Sequence, residues 1–210
     1  MDVPVDQETR AAGWALVGTG LLTILLMSQH PSSASDIMTP LVHGGLQVVL
    51  LVQLAALLIV ARRWGGGLLL TTGMLFFAAG AFAGLGAATI NGFVSPSLAS
   101  YPSGEIGHDI FALAWEANQA LATLGVIATG LAFAMISVRL WQEAQRSLPV
   151  AGWLAGLLPA ALLAVGHISM NLHGALLVYV TQAAWIIALG WHAARRGAQP
   201  VSAIPCGSQA

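Results

Sequence analysis

The chain contains no lysine and one cysteine, and only 7% of its residues are charged. An ordinary soluble domain carries roughly a quarter charged residues. With 57% hydrophobic residues and a mean hydropathy of +0.81, a water-soluble fold is excluded. The lone Cys206 lies in the C-terminal tail, so neither an internal disulfide nor a paired-cysteine redox motif exists. The missing lysine, in a chain so rich in Ala and Gly, reads as the codon bias of a high-GC bacterial genome and carries no mechanism. Also absent are a phosphate-binding glycine loop, a dinucleotide fingerprint, a nucleophile elbow and any HExxH or HxxxH histidine pair. Nothing points to nucleic acid.

What is present is a series of continuously apolar runs. A membrane β-barrel would alternate apolar and polar residues over about ten-residue segments, so these runs indicate an all-α membrane protein, a bundle of six transmembrane helices. The helices are expected at about 11–29, 41–61, 67–91, 108–138, 150–168 and 173–193. Residues 1–10 form a polar segment before this membrane domain of 11–196, and 197–210 form a Pro/Gly/Ser tail read as disordered. The first apolar run follows three acids and a single Arg10 instead of the basic stretch a secretory signal needs, and is read as a retained helix. Gly65-Gly66-Gly67 predicts a tight turn, 94–106 with Pro96 and Pro102 a loop, and Pro159 a kink. Gly73, Gly80, Gly84 and Ala88 have the small-residue spacing that lets membrane helices approach closely.

The arginines set the orientation. With the N-terminus in the cytoplasm, six spans place Arg10, Arg62, Arg63, Arg139, Arg146, Arg195 and Arg196 all on the cytoplasmic side, as the positive-inside rule requires. Both termini are then cytoplasmic, in a multi-pass protein of a bacterial inner membrane. Trp14, Trp64, Trp141, Trp153 and Trp191 fall near the same boundary as an aromatic belt.

The same topology puts His30, His43, His108, His167 and His173 at or near the outer helix ends and leaves only His192 inside. Asp36, Glu105, Asp109 and Glu116 share that side. The chain also suggests three helical hairpins in repeat. Ala-Gly-Trp recurs at 12–14 and 151–153, His43-Gly44 matches His173-Gly174, Gln53 matches Gln182, and Ala-Arg-Arg closes both terminal hairpins. If the hairpins surround one axis, His43, His108 and His173 converge, with His167 close by and Asp109 or Glu116 as a further ligand or orienting carboxylate. Such a set suits zinc, copper or iron. Haem b is the other cofactor reading, with His43 and His173 as the best axial pair; their position at helix ends counts against it.

Glu116 and Asp109 are the candidate catalytic acids, seven residues apart on one helix face. Glu116 reads either as a proton-accepting carboxylate acting on a lipid-soluble substrate or as a bundle-facing group satisfied by Asn118, Gln119, Gln47 or Asn91. His167, Asn171 and His173 could hold a cation, or form a polar interfacial turn. Trp115 and Trp185 lie deep enough to line a pocket. Three functions stay open. The first is an outer-side cavity that binds a metal or haem for redox or hydrolytic chemistry on a lipidic or small-molecule ligand. The second is a proton- or metal-coupled transporter, and the third an accessory subunit without catalysis. The bilayer is the certain partner; a homo-oligomer or larger membrane complex fits the same chain.

Overall fold

In the computed structural model, residues 5–31, 36–102, 107–142 and 146–196 are described. Among them every regular element is helical: α1 (Val5–Ser28), α2 (Thr39–Arg63), α3 (Leu68–Thr89), a π-helical turn at Ile90–Val94, α4 (Ser95–Ala99), α5 (His108–Trp141), α6 (Ser147–Ala164) and α7 (Leu172–Arg196). Six helical stretches are long and apolar enough to cross a membrane. The expected tail at 197–210 and Glu105 lie outside the described residues.

Five boundaries differ from expectation. The first helix takes in residues 5–10, which were expected to be a separate polar segment. The starts of α2 and α6 come earlier than expected, at Thr39 and Ser147. Pro40 and Pro149 sit in their first turns, where a missing N–H would have had no intrahelical partner anyway. For the same reason the 94–106 loop begins late: Pro96 stands in the first turn of α4, so helical backbone runs on to Ala99. Conversely, α6 ends at Ala164, before the expected 168. Gly166 adopts φ +74°, its N–H bonds to Leu163 O at 3.0 Å, and the His167 N–H bonds to Leu162 O at 2.9 Å. This pair of bonds around a left-handed glycine closes a helix cleanly. Gly65, Gly66 and Gly67 all take positive φ and form the expected turn between α2 and α3. Pro159 lies inside α6.

The six long helices form a ring in chain order. Each packs on its chain neighbour, and α7 closes against α1. Small residues make the tightest seams. A Cβ on Gly13 would meet Ala194 N at 2.5 Å, one on Gly80 would meet Gly125 O at 2.9 Å, and one on Gly130 would meet Gly156 O at 2.5 Å. These join α1 to α7, α3 to α5 and α5 to α6 by near-contact of backbones, the packing mode of membrane helices. Gly80 thus serves the role its spacing predicted.

The two ends of the ring differ. At the arginine-bearing end, side chains from all six long helices fill the centre. Trp185 is its keystone, 2% exposed. Its ring lies 4.2 Å from that of Phe133, which stacks on Phe77 at 6.3 Å, and its indole N–H donates to Leu148 O at 3.0 Å. Gly152 makes room for this, since a Cβ there would strike Ser137 Oγ and the Trp185 indole. Trp185 therefore belongs to the core and does not line a pocket. Around this end Arg195 lies over Trp191 and Arg146 over Trp141, at 4.5 and 5.7 Å from the ring centroids. Arg139 donates to Trp64 O at 3.1 Å. Arginine thus meets the carbonyl ends of α2, α5 and α7, where the helix dipole favours cations. The opposite end, free of arginine, is hollow. The whole is a cup.

Candidate functional site

The hollow is a cavity of about 470 Å³ whose floor is Phe77, Phe133 and Ile186. That volume is ordinary for a small-molecule site. Its wall comes from α1, α2, α3, α5 and α7, together with the π turn and the α6–α7 connection. Among the described residues no Asp, Glu, Lys or Arg lines it.

Polar groups face the cavity in two tiers. In the lower one, Gln53 Nε2 reaches Thr23 Oγ1 at 3.5 Å, and Gln182, level with them, has no partner for its Nε2. The upper tier lies ten residues above Gln53 on α2, about 15 Å along the helix axis. There His43, 4% exposed, meets His30 edge to face with ring centroids 5.0 Å apart. Asn91 and Asn118 join them on the wall, and Asn118 Oδ1 is buried without a partner. The wall between the tiers is mainly apolar, with Leu46, Val49, Ala122 and Val126. A buried amide atom without a partner costs about 1–3 kcal/mol. Asn118 and Gln182 both belong to the wall of the same cavity and give it polar groups.

The π turn helps to build the upper tier. It carries Asn91, and Gly92 beside it lies so close to His43 that a Cβ would meet the histidine Cβ at 2.5 Å. An isolated π turn in a membrane helix is often associated with a functional site.

Both imidazoles are held by carbonyls. His43 Nδ1 lies 2.8 Å from Thr39 O, and His30 Nδ1 lies 3.0 Å from Pro31 O. A carbonyl only accepts, so in each neutral ring Nδ1 carries the proton and Nε2 is a bare acceptor. Burial holds His30 below the usual histidine range, against a smaller opposing pull from its bond to Pro31 O, so the ring is neutral at physiological pH.

Of the residues singled out from sequence, His43, Asn91, Asn118 and Asn171 line the cavity, as does Trp115. His108, Asp109, Glu116, His167 and His173 are exposed and are not part of its wall. Asn118 is buried in the wall and Trp115, half-exposed, borders the cavity, while Glu116 between them is exposed and outside it. From Glu116 to Arg139 is 23 residues, about 34 Å of helix. This exceeds the roughly 30 Å of bilayer hydrocarbon, so Glu116 can stand at headgroup level without an internal partner. Among the described residues none of its four expected partners hydrogen-bonds to it. Gln47 donates to Thr89 Oγ1 at 2.7 Å and Gln119 to Met170 O at 3.1 Å. Asn171 Oδ1 accepts the Gly174 N–H at 2.9 Å, capping α7.

The residues present do not fit a resident metal or haem. Among the described residues no three His, Cys, Asp or Glu side chains come together to hold an ion. His43 meets His30 instead of His108 or His173. Two imidazoles in ring-to-ring contact also leave no slot for a macrocycle between them, and His173 is exposed outside the cavity, so it cannot supply the facing ligand haem requires. The residues missed from sequence are His30, Thr23, Gln53 and Gln182. The two glutamines did carry a signal, being lone amides near mid-span, where a polar group is costly unless used.

No protein-family model matches the chain, and no curated protein or solved structure matches it significantly.

Proposed function

We propose that this is a multi-pass inner-membrane protein whose cup opens to the extracytoplasmic side and binds a neutral, largely apolar small molecule, as a carrier or receptor. The observation that carries this reading is the wall itself: apolar over most of its height, with unpartnered amides and, among the described residues, no charged side chain. A charged guest would lose its hydration without gaining a counter-charge, at a cost of several kcal/mol. A neutral guest with a hydrocarbon body loses little and satisfies the amides.

Binding by detergent-solubilised protein, followed by thermal unfolding, tests the reading. 1-Decanol below its solubility limit should raise the melting temperature saturably, while decanoate and decylamine at equal concentration should not. The Ala122→Trp variant, which fills the space between the tiers, should lose the decanol effect. Equal shifts from all three compounds, or none from decanol, would rule the reading out.

The side on which the cup opens rests on the arginines. With all seven arginines on one side of the six spans, the positive-inside rule places them in the cytoplasm and the mouth outside. A C-terminal green fluorescent protein fusion should therefore fluoresce in bacterial cells, and a C-terminal alkaline phosphatase fusion should be inactive. The reverse pattern would turn the mouth toward the cytoplasm.

A further inference from the structure

We infer that the guest of this cavity carries a hydroxyl, and that the hydroxyl donates to the bare imidazole nitrogens of His30 and His43: an uncharged, lipid-soluble alcohol or phenol. This rests on the cavity reading above and narrows it to a chemical class.

The reason lies in which polar groups of the wall can change role. An amide can turn over and present either its oxygen or its NH₂, so Asn118 and Gln182 accept whatever a guest offers. The imidazoles cannot. Each is anchored through Nδ1 to a backbone carbonyl, at 2.8 Å for His43 and 3.0 Å for His30, and that bond fixes the proton on Nδ1. Turning a ring over would break the bond and leave a carbonyl short of its donor. Among the described residues neither Nε2 has a hydrogen-bond partner, while both rings belong to the cavity wall. The upper tier is thus fixed as a pair of acceptors beside two adaptable amides, Asn91 and Asn118, the latter 3% exposed with its oxygen unpartnered. A guest bearing only acceptors, such as an ether, meets lone pairs with lone pairs. A guest bearing a hydroxyl donates to an imidazole and accepts from an amide N–H with the same oxygen. An ammonium also donates, but its charge would have no counter-charge among the described residues of this wall. The hydroxyl therefore satisfies both the polarity and the neutrality of the site.

The test compares 4-nonylphenol with 4-nonylanisole, which differ by a methyl group that removes the donor. Binding is followed by quenching of tryptophan fluorescence, with Trp115→Phe to assign the signal to the cavity wall. The phenol should bind about tenfold tighter, the usual worth of one hydrogen bond in an apolar site. In His43→Phe, which keeps a ring but has no acceptor, the phenol-to-anisole ratio should fall toward one. His30→Phe, placed outside the helices and so less exposed to folding failure, should lower the same ratio. Equal affinities for the two compounds in the wild-type protein would overturn the hydroxyl assignment and leave the neutral cavity standing. A preference that survives both histidine variants would overturn the role of the imidazoles. Binding of neither compound would remove the cavity reading and this inference with it.

Discussion

Gly130→Leu is expected to cost about 3 kcal/mol or more and to leave little folded, monodisperse protein after detergent extraction. A Cβ at this position would meet the Gly156 carbonyl oxygen at 2.5 Å and its carbon at 3.1 Å. Both are backbone atoms, so no rotamer change can relieve the clash, and α5 and α6 must separate. Leucine is otherwise the better helix former by nearly 1 kcal/mol, so the sign of the effect is set by packing alone. Gly18→Leu provides the matched control: nothing lies within 4 Å of a Cβ there, and the variant should be as stable as the parent or slightly more so. Thermal unfolding with size-exclusion chromatography reads both. If Gly130→Leu melted with the parent, the close seam between α5 and α6 would be wrong.

Trp185→Ala is expected to destabilise the protein by about 3–5 kcal/mol, as large-to-small changes at well-packed aromatic sites do. The indole joins three elements. It contacts Phe133 on α5, donates from α7 to Leu148 O on α6, and through Phe133 reaches Phe77 on α3. Trp185→Phe should recover most of the packing but not the hydrogen bond, leaving a deficit of about 1 kcal/mol. Trp191→Ala, at a position 42% exposed, should cost about 0.5 kcal/mol. Equal losses at 185 and 191 in a thermal melt would mean that the arginine-end core is not organised around Trp185. Phe133 is also part of the cavity floor, so Trp185→Ala should weaken ligand binding even where the protein survives extraction.

The helices were legible because membrane spans announce themselves by unbroken apolar length. Their ends were less so, and the errors share causes. Pro40 and Pro149 fell just outside the expected helices and Pro96 in an expected loop, although the first turn of a helix tolerates proline, and Gly166 was not read as the left-handed residue that stops α6. The site was harder to read. In a helix that is apolar nearly all round, the faces toward lipid and toward the bundle look alike, so nothing in the sequence separates His43, which faces inward, from His173, which does not. Gln53 and Gln182 both line the cavity. Glu116 drew attention as a carboxylate inside a span. The length of α5 changes that, since the helix runs well past one hydrocarbon thickness.

That length has a mechanical corollary. At 34 residues α5 is about 51 Å long, while α6, packed against it with 18 residues, is about 27 Å. One is taller than the roughly 30 Å oily layer and the other slightly shorter. The surplus of α5 is its polar first turns, which rise above the oily layer with Glu116, whereas α6 barely reaches across it. Thinner membranes therefore suit the α6 side best.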